Sequence, residues 1–455
     1  MAAARKVAIV GGSVIGLTIA FRAARAGFEV TVFDPDDSGP AGTPARAAAW
    51  VAGGMLAPYS EAWPGEPDGL RLGLEALAAW PALLEELAPY QARSGSDGEA
   101  ATEGESAEPA DPWTFGDIRT GTGCLLLGCD SADARDNNLA LDWALETTGL
   151  EPQSGADTVD PATLGDAGQN NLAAENPVLR ITRRDMRALE PGLTGQIRSA
   201  HFMPGEGSID NRRLLGALRR GTEALGVAFV RRRIDSLDQL AAGGAGATEA
   251  GEGAGFDAIV IAAGEGSARL ANLPVRNVKG EVLRLFERPG CEPAPTHVVR
   301  AQVRGRPLYL VPREGGLVVG ATQYEHGEDR QVTVAGVRDL LADAETVFPA
   351  IGEYELRETI AGLRPMSADN LPYIGPLPPE LLGGPTSFAN DAGGGDPVAP
   401  LILAATGHGR NGVALSSVTA EAILAYLEGG ADAAVSGAVA AAHPARILRG
   451  RKDVN

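Results

Sequence analysis

The chain has 455 residues, 44% of them hydrophobic, and carries a formal net charge of −20. That length and apolar share can bury a large core, most naturally as two intertwined domains. The acid excess argues against nucleic acid or an anionic membrane as partner, and is read as a solvated surface.

Cys124, Cys129 and Cys291 are odd in number and form no C-x-x-C pair. No disulfide framework is expected, and a reducing cytoplasm is the natural compartment. The five histidines show no metal spacing, so no metal is expected. Residues 1–5 are too short for a signal peptide, and no apolar run reaches the roughly 20 residues of a membrane span.

The first elements in the chain are the most telling. Lys6–Val10 reads as a strand covered on both faces. Gly11-Gly12-Ser13-Val14-Ile15-Gly16 opens a helix from Leu17 to Ala26, which Gly27 ends. Glu29–Phe33 is the next strand, with Asp34 at its tip. This is the order of a dinucleotide fold, in which a glycine turn and a helix N-terminus meet a pyrophosphate and the acid meets a ribose. Ser13 stands where the fingerprint has its second glycine, the one that lets the backbone approach the pyrophosphate. Its hydroxyl is a candidate phosphate donor. Asp34 repels a 2′-phosphate, so FAD or NAD is expected rather than NADP.

Leu70–Leu87 has helical spacing around Trp80. Arg212–Leu225 is a helix capped by Asp210, followed by a strand at Val227–Val230 and then Arg231-Arg232-Arg233. Phe256–Ala263 is another buried strand, expected to extend the first parallel sheet from more than 200 residues downstream. From Val278 to Val334 the pattern turns to alternating strands, Glu281–Phe286, Arg306–Val311 and Leu317–Ala321, as an antiparallel sheet requires. Leu401–Ala405 returns to the apolar type, before a helix at Ser417–Leu427. Four stretches, Ser94–Pro112, Pro152–Glu175, Ala241–Gly255 and Gly383–Pro397, lack core-forming residues and read as mobile surface insertions.

The fold class expected is α/β, α+β overall: a Rossmann-like FAD-binding domain with an inserted antiparallel-sheet substrate domain. The first is assigned residues 1–90, 195–275 and 355–445, the second 91–194 and 276–354. A sheet assembled from such distant pieces suits FAD-binding folds better than NAD dehydrogenases.

Several segments together resemble one family, the glycine oxidases of thiamine biosynthesis within the D-amino-acid-oxidase-like flavoproteins. They are Ala49–Pro58 (AWVAGGMLAP), Tyr309–Arg313 (YLVPR) with Val319–Thr322 (VGAT), Gly362–Pro365 (GLRP) with Leu371–Gly375 (LPYIG), and Thr406–Gly412 (TGHGRNG). The likeness spans the chain apart from the four insertions. It implies non-covalent FAD, held by Gly11, Gly12, Ser13, Val14, Ile15, Gly16, Asp34 and Pro35 at the dinucleotide turn. It further implies Ala48, Ala49, Gly53, Gly54 and Met55 beside the flavin, then Ile234, Ala263 and Gly264, and finally His408, Gly409, Asn411, Gly412, Val413 and Ala414.

For the substrate, the resemblance points to Arg364, Arg410 and Tyr309. Most arginines are surface or ion-paired, and most strand tyrosines are simply packed. A guanidinium fork nevertheless suits a carboxylate better than any other side chain. No protein general base is expected, because the α-hydrogen of a neutral amine leaves as hydride to the flavin.

Gly409 and Gln323 depart from the residues the family carries there, which leaves fine specificity open. The implied activity is FAD-dependent oxidation of glycine, sarcosine or small D-amino acids by O2, giving imine and glyoxylate, ammonia and peroxide, with the imine supplying the thiazole of thiamine. A homo-oligomer in the cytoplasm is expected. The alternatives are a dehydrogenase passing electrons to another acceptor and a flavin-binding protein without turnover.

Overall fold

A computed structural model of the chain describes residues 5–36, 47–91, 118–150, 177–240, 255–382 and 399–452. The four expected insertions lie outside the described residues, apart from Gly255.

The short apolar runs pair side by side. β1 (Lys6–Val10) lies between β2 (Glu29–Asp34) and β8 (Ala258–Ile261), all parallel. Beyond β2 comes β7 (Ala228–Arg231), and beyond β8 come β15 (Leu401–Thr406), also parallel, and β14 (Tyr373–Pro376), antiparallel at the edge. Helices cover one face: α1 (Val14–Arg25) packs on α7 (Ser416–Gly429), which packs on α3 (Pro67–Leu87). Ile9, Ile19, Val32, Leu72, Val260, Leu403 and Ile423 form one core there. Phe33, Ile234, Ile259, Ile261 and Tyr373 form another on the opposite face. Consecutive apolar residues, as in Val7–Val10 and Ala258–Ile261, are what two covered faces demand.

The second sheet is larger. In order across it run β13 (Glu355–Met366), β9 (Arg276–Phe286), β12 (Gly316–Gly320), β11 (Arg306–Arg313), β10 (Val298–Val303), β4 (Arg119–Gly128), β6 (Ser199–Ile209) and β3 (Met55–Leu56), with β5 (Leu179–Ile181) on β6. α6 (Val334–Val347) caps it through Leu340, Ala344 and Val347 against Leu283, Leu310 and Val319.

Two expectations are corrected here. The sheet is antiparallel except where β10 runs parallel to β4. The stretches 199–209 and 355–366, assigned to the nucleotide domain, belong to this second sheet, because β6 pairs with β4 and β13 pairs with β9 along its length.

Helix termini follow the sequence. Asp210 accepts the N–H of Arg212 at 2.9 Å and of Arg213 at 3.1 Å, opening α5 (Asn211–Ala224). Gly27 takes φ +90° past the end of α1, where an L side chain is disfavoured. No helix among the described residues is long and apolar enough to cross a membrane.

Candidate functional site

A cavity of about 670 Å³ runs between the two sheets, along the carboxyl ends of the parallel strands. At its first end lies the glycine turn. Gly11 holds φ +115°, and a Cβ there would stand 2.3 Å from the Ala262 carbonyl oxygen. A Cβ on Gly16 would stand 1.8 Å from the Gly11 carbonyl oxygen. These two glycines let strand, turn and helix close on one another. Ser13 does not need to be glycine: its φ is −92°, and its hydroxyl caps nothing on α1 and lines the cavity. Asp34 accepts the Gly12 N–H at 2.6 Å and the Asp36 N–H at 2.9 Å, while burial pushes its carboxyl upward. It therefore braces the turn as well as lining the site.

Gly11, Ser13, Val14, Ile15, Asp34, Pro35, Ile234, Ala263 and Gly264 share this cavity with Ala48, Ala49, Gly53, Gly54 and Met55, and with His408, Gly409, Gly412 and Val413. Gly12 and Gly16 stand behind its wall. Asn411 and Ala414, expected beside the flavin, line instead a smaller cavity of about 50 Å³, which shares His408, Gly409 and Arg410 with the larger one. These residues suit a long dinucleotide: a bare backbone turn at one end, glycine-rich walls at the other, and an unengaged hydroxyl at the turn.

A device not foreseen from sequence holds the 47–55 wall. Asn211 donates to the carbonyls of Ala49 (2.6 Å) and Trp50 (2.9 Å), and accepts from Arg313 at 3.1 Å and Arg284 at 3.3 Å. Arg313 donates to the Gly53 carbonyl at 2.7 Å. Arg212 makes two 2.9 Å bonds to Glu358 and lies over the Trp50 ring. Burial brings the Arg284 guanidinium down to about 9.

Tyr309, Arg364 and Arg410 all line the other end of the cavity. Arg364 projects from β13, donates to the Thr322 carbonyl at 3.2 Å and lies flat on Gly280, where a Cβ would be 2.3 Å from its Nη2. Tyr309 on β11 packs over Gly53 and Gly320, and burial raises its phenol while Arg364 lowers it. Arg410 bonds the Glu61 carbonyl at 2.9 Å, pairs with the Glu61 carboxylate at 3.5 Å and stacks on Trp63.

Glu61 was missed in the sequence, and so was Arg300, whose Nη2 lies 3.3 Å from the second Glu61 oxygen. No local motif marks either, since 349 residues separate Glu61 from Arg410. Arg330 pairs with Glu265 at the cavity rim. His408 is buried with Nε2 3.0 Å from the Thr419 hydroxyl, and burial takes it down to about 3, so it stays neutral.

Comparison with known proteins places these features in context. The profile of the FAD dependent oxidoreductase (DAO) family matches residues 6–427. The "Glycine oxidase" of Geobacillus kaustophilus is 28% identical over 429 residues, covering 91% of this chain and 90% of that protein. Its crystal structure superposes with a TM-score of 0.70 over 97% of this chain and 99% of that one. The "Putative thiamine biosynthesis oxidoreductase ThiO" of Rhizobium etli is 29% identical over 81% of this chain and 86% of that protein. The "Bifunctional protein ThiO/ThiG" of a Synechocystis strain is 30% identical over 59% of this chain, which spans only 37% of that longer protein.

Proposed function

The chain belongs to the family of FAD dependent oxidoreductases, and from that premise we propose that it oxidises the amine of glycine or another small amino acid, with O2 as the final acceptor. Bound FAD supplies the two-electron acceptor for the α-hydrogen, which leaves as hydride, and its return to the oxidised state reduces O2 to peroxide.

The observation that carries the reading is the convergence of Arg364, Arg410 and Tyr309 on one end of a cavity whose other end is a dinucleotide turn. Charge supports it. Two guanidinium groups, Arg300 and Arg410, share the single Glu61 carboxylate, an excess of one positive charge that one substrate carboxylate neutralises. Arg364 holds that carboxylate with a planar fork, and Tyr309 offers a hydroxyl. Together they aim Cα at the glycine-lined wall, where positioning rather than a protein base carries the chemistry. With glycine as substrate, imine that is not taken up is hydrolysed to glyoxylate and ammonia. The name of the Rhizobium etli relative supports a place in thiamine biosynthesis, and in this reading the imine supplies the thiazole.

A peroxide-coupled assay across glycine, sarcosine, D-alanine and D-proline tests the proposal. Peroxide released with glycine or sarcosine is expected. Reduction of an added dye without peroxide marks a dehydrogenase, and no flavin bleaching with any of the four amines overturns the substrate class.

A further inference from the structure

One buried carboxylate has no part in the chemistry described above. Glu206 lies on β6, where the pairing with β4 breaks register opposite Gly123, and it is 2% exposed. Its Oε1 accepts the backbone N–H of Tyr59 at 2.6 Å and of Ser60 at 3.0 Å. Its Oε2 is buried without a hydrogen-bond partner among the described residues. Burying a carboxylate is costly unless donors and charges compensate, so its presence here calls for a role.

The residue after Ser60 is Glu61, and Glu61 is shared. One oxygen faces Arg300 and the other faces Arg410, whose guanidinium also bonds the Glu61 carbonyl. We infer that Glu206 is a positioning residue of the substrate site: by clamping the backbone of Tyr59 and Ser60, it fixes Glu61 between Arg300 and Arg410 and so sets how strongly Arg410 answers an incoming carboxylate. The inference rests on the reading of this end of the cavity as a carboxylate site.

The groups facing Glu206 come from three elements. Tyr59 and Ser60 lie on the 57–66 segment, Cys124 on β4 and Arg300 on β10. Burial pushes the Glu206 carboxyl up to about 7, against the opposing pull of the Ser60 and Tyr59 hydrogen bonds and of Arg300. Burial drives the Cys124 thiol well above its usual range and raises the Tyr59 phenol, so neither ionises near neutrality.

Above about pH 7 Glu206 is charged, offsets Arg300 and holds the clamp. Below it Glu206 is neutral, and Arg300 has only Glu61 as counter-charge. Arg300, Arg410, Glu61 and Glu206 then change from two positive and two negative to two positive and one negative. Glu61 is drawn toward Arg300, and Arg410 is released to an external anion. A carboxylate should therefore bind about three- to tenfold more tightly as pH falls through 7, as one charge at this range and effective dielectric allows.

Acetate serves as the probe because it binds without turnover. Its dissociation constant is measured on FAD-replete wild type and Glu206→Gln from the change in flavin absorbance, between pH 6 and 8.5. Wild type should lose three- to tenfold in affinity across that range. Glu206→Gln, which keeps an acceptor for both N–H groups but no charge, should stay flat near the wild-type low-pH value, with unchanged FAD content and melting temperature. A slope in Glu206→Gln equal to that of wild type, or no slope in wild type, overturns the inference while leaving the carboxylate site intact. Absence of acetate binding at every pH overturns the carboxylate site and this inference with it.

A second readout needs no variant. Infrared spectra of wild type should contain a protonated-carboxyl stretch that titrates near neutrality and shifts on acetate addition, and its absence counts against the inference.

Discussion

At the scale of single residues, the site depends on side chains whose neighbours have been pared down to make room. Arg364 is the clearest case. Arg364→Lys keeps the charge and loses the fork, and one charge-assisted hydrogen bond is worth roughly 1.5–3 kcal/mol, or about 10- to 150-fold in binding. Steady-state kinetics with glycine should show KM raised by that order and kcat lowered, with FAD retained. A near wild-type kcat/KM would move the carboxylate site toward Arg410. Gly280→Ala tests the same contact from the other side. The added methyl would sit within 2.4 Å of three guanidinium atoms, and because the guanidinium is the mobile partner, the arginine must swing away. The expected result is a KM for glycine raised at least about tenfold at unchanged melting temperature, since misplacement of about 1 Å is enough for a large loss. Ser13→Gly is the contrasting case. The backbone at position 13 suits any residue, so FAD content should hold, and its loss would identify the Ser13 hydroxyl as a phosphate ligand.

At the scale of elements, the wall made by residues 47–55 has no regular pairing of its own beyond the four-residue helix α2 (Ala48–Val51) and β3. The N-terminus of α5 holds it. Asn211→Ala removes two donors and one shared acceptor, leaving two carbonyls and two guanidinium groups short of partners at a cost of about 2–4 kcal/mol. A lower melting temperature together with faster FAD loss on dilution is expected. Normal FAD retention would show that the wall stands without α5.

The sequence made the parallel sheet readable because each strand is a short continuous apolar run bounded by glycine, and Asp210 announced α5 by its type and place. It hid β6, whose Pro204, Glu206 and two glycines read as a loop, and it hid β13, whose first half is charged. It could not show Glu61 meeting Arg410 and Arg300, because each sits in an unremarkable local context and only the packing of 57–66 against the 408–415 loop and β10 brings them together. Arg364 and Arg410 stand out in the sequence through the glycines and proline around them, whereas Glu61, the counter-charge of Arg410, does not.

At the scale of the molecule, the cavity separates two sheets that each have their own core, so its contents join the two halves. A ligand that binds only the folded state stabilises it by RT ln(1 + [L]/Kd), about 2.7 kcal/mol at one hundred times Kd. Apoprotein should therefore melt lower than holoprotein, with the midpoint rising steadily as FAD is titrated in. NAD should leave it unchanged, because the family to which the chain belongs depends on FAD. The bond to FAD should be non-covalent, and the lining explains why. Among the described residues it contains no cysteine, and its one histidine, His408, is buried, neutral and engaged with Thr419 through Nε2. Acid precipitation should leave a colourless pellet and a yellow supernatant, and colour retained in the pellet would mean that a side chain of the chain has bonded the flavin after all.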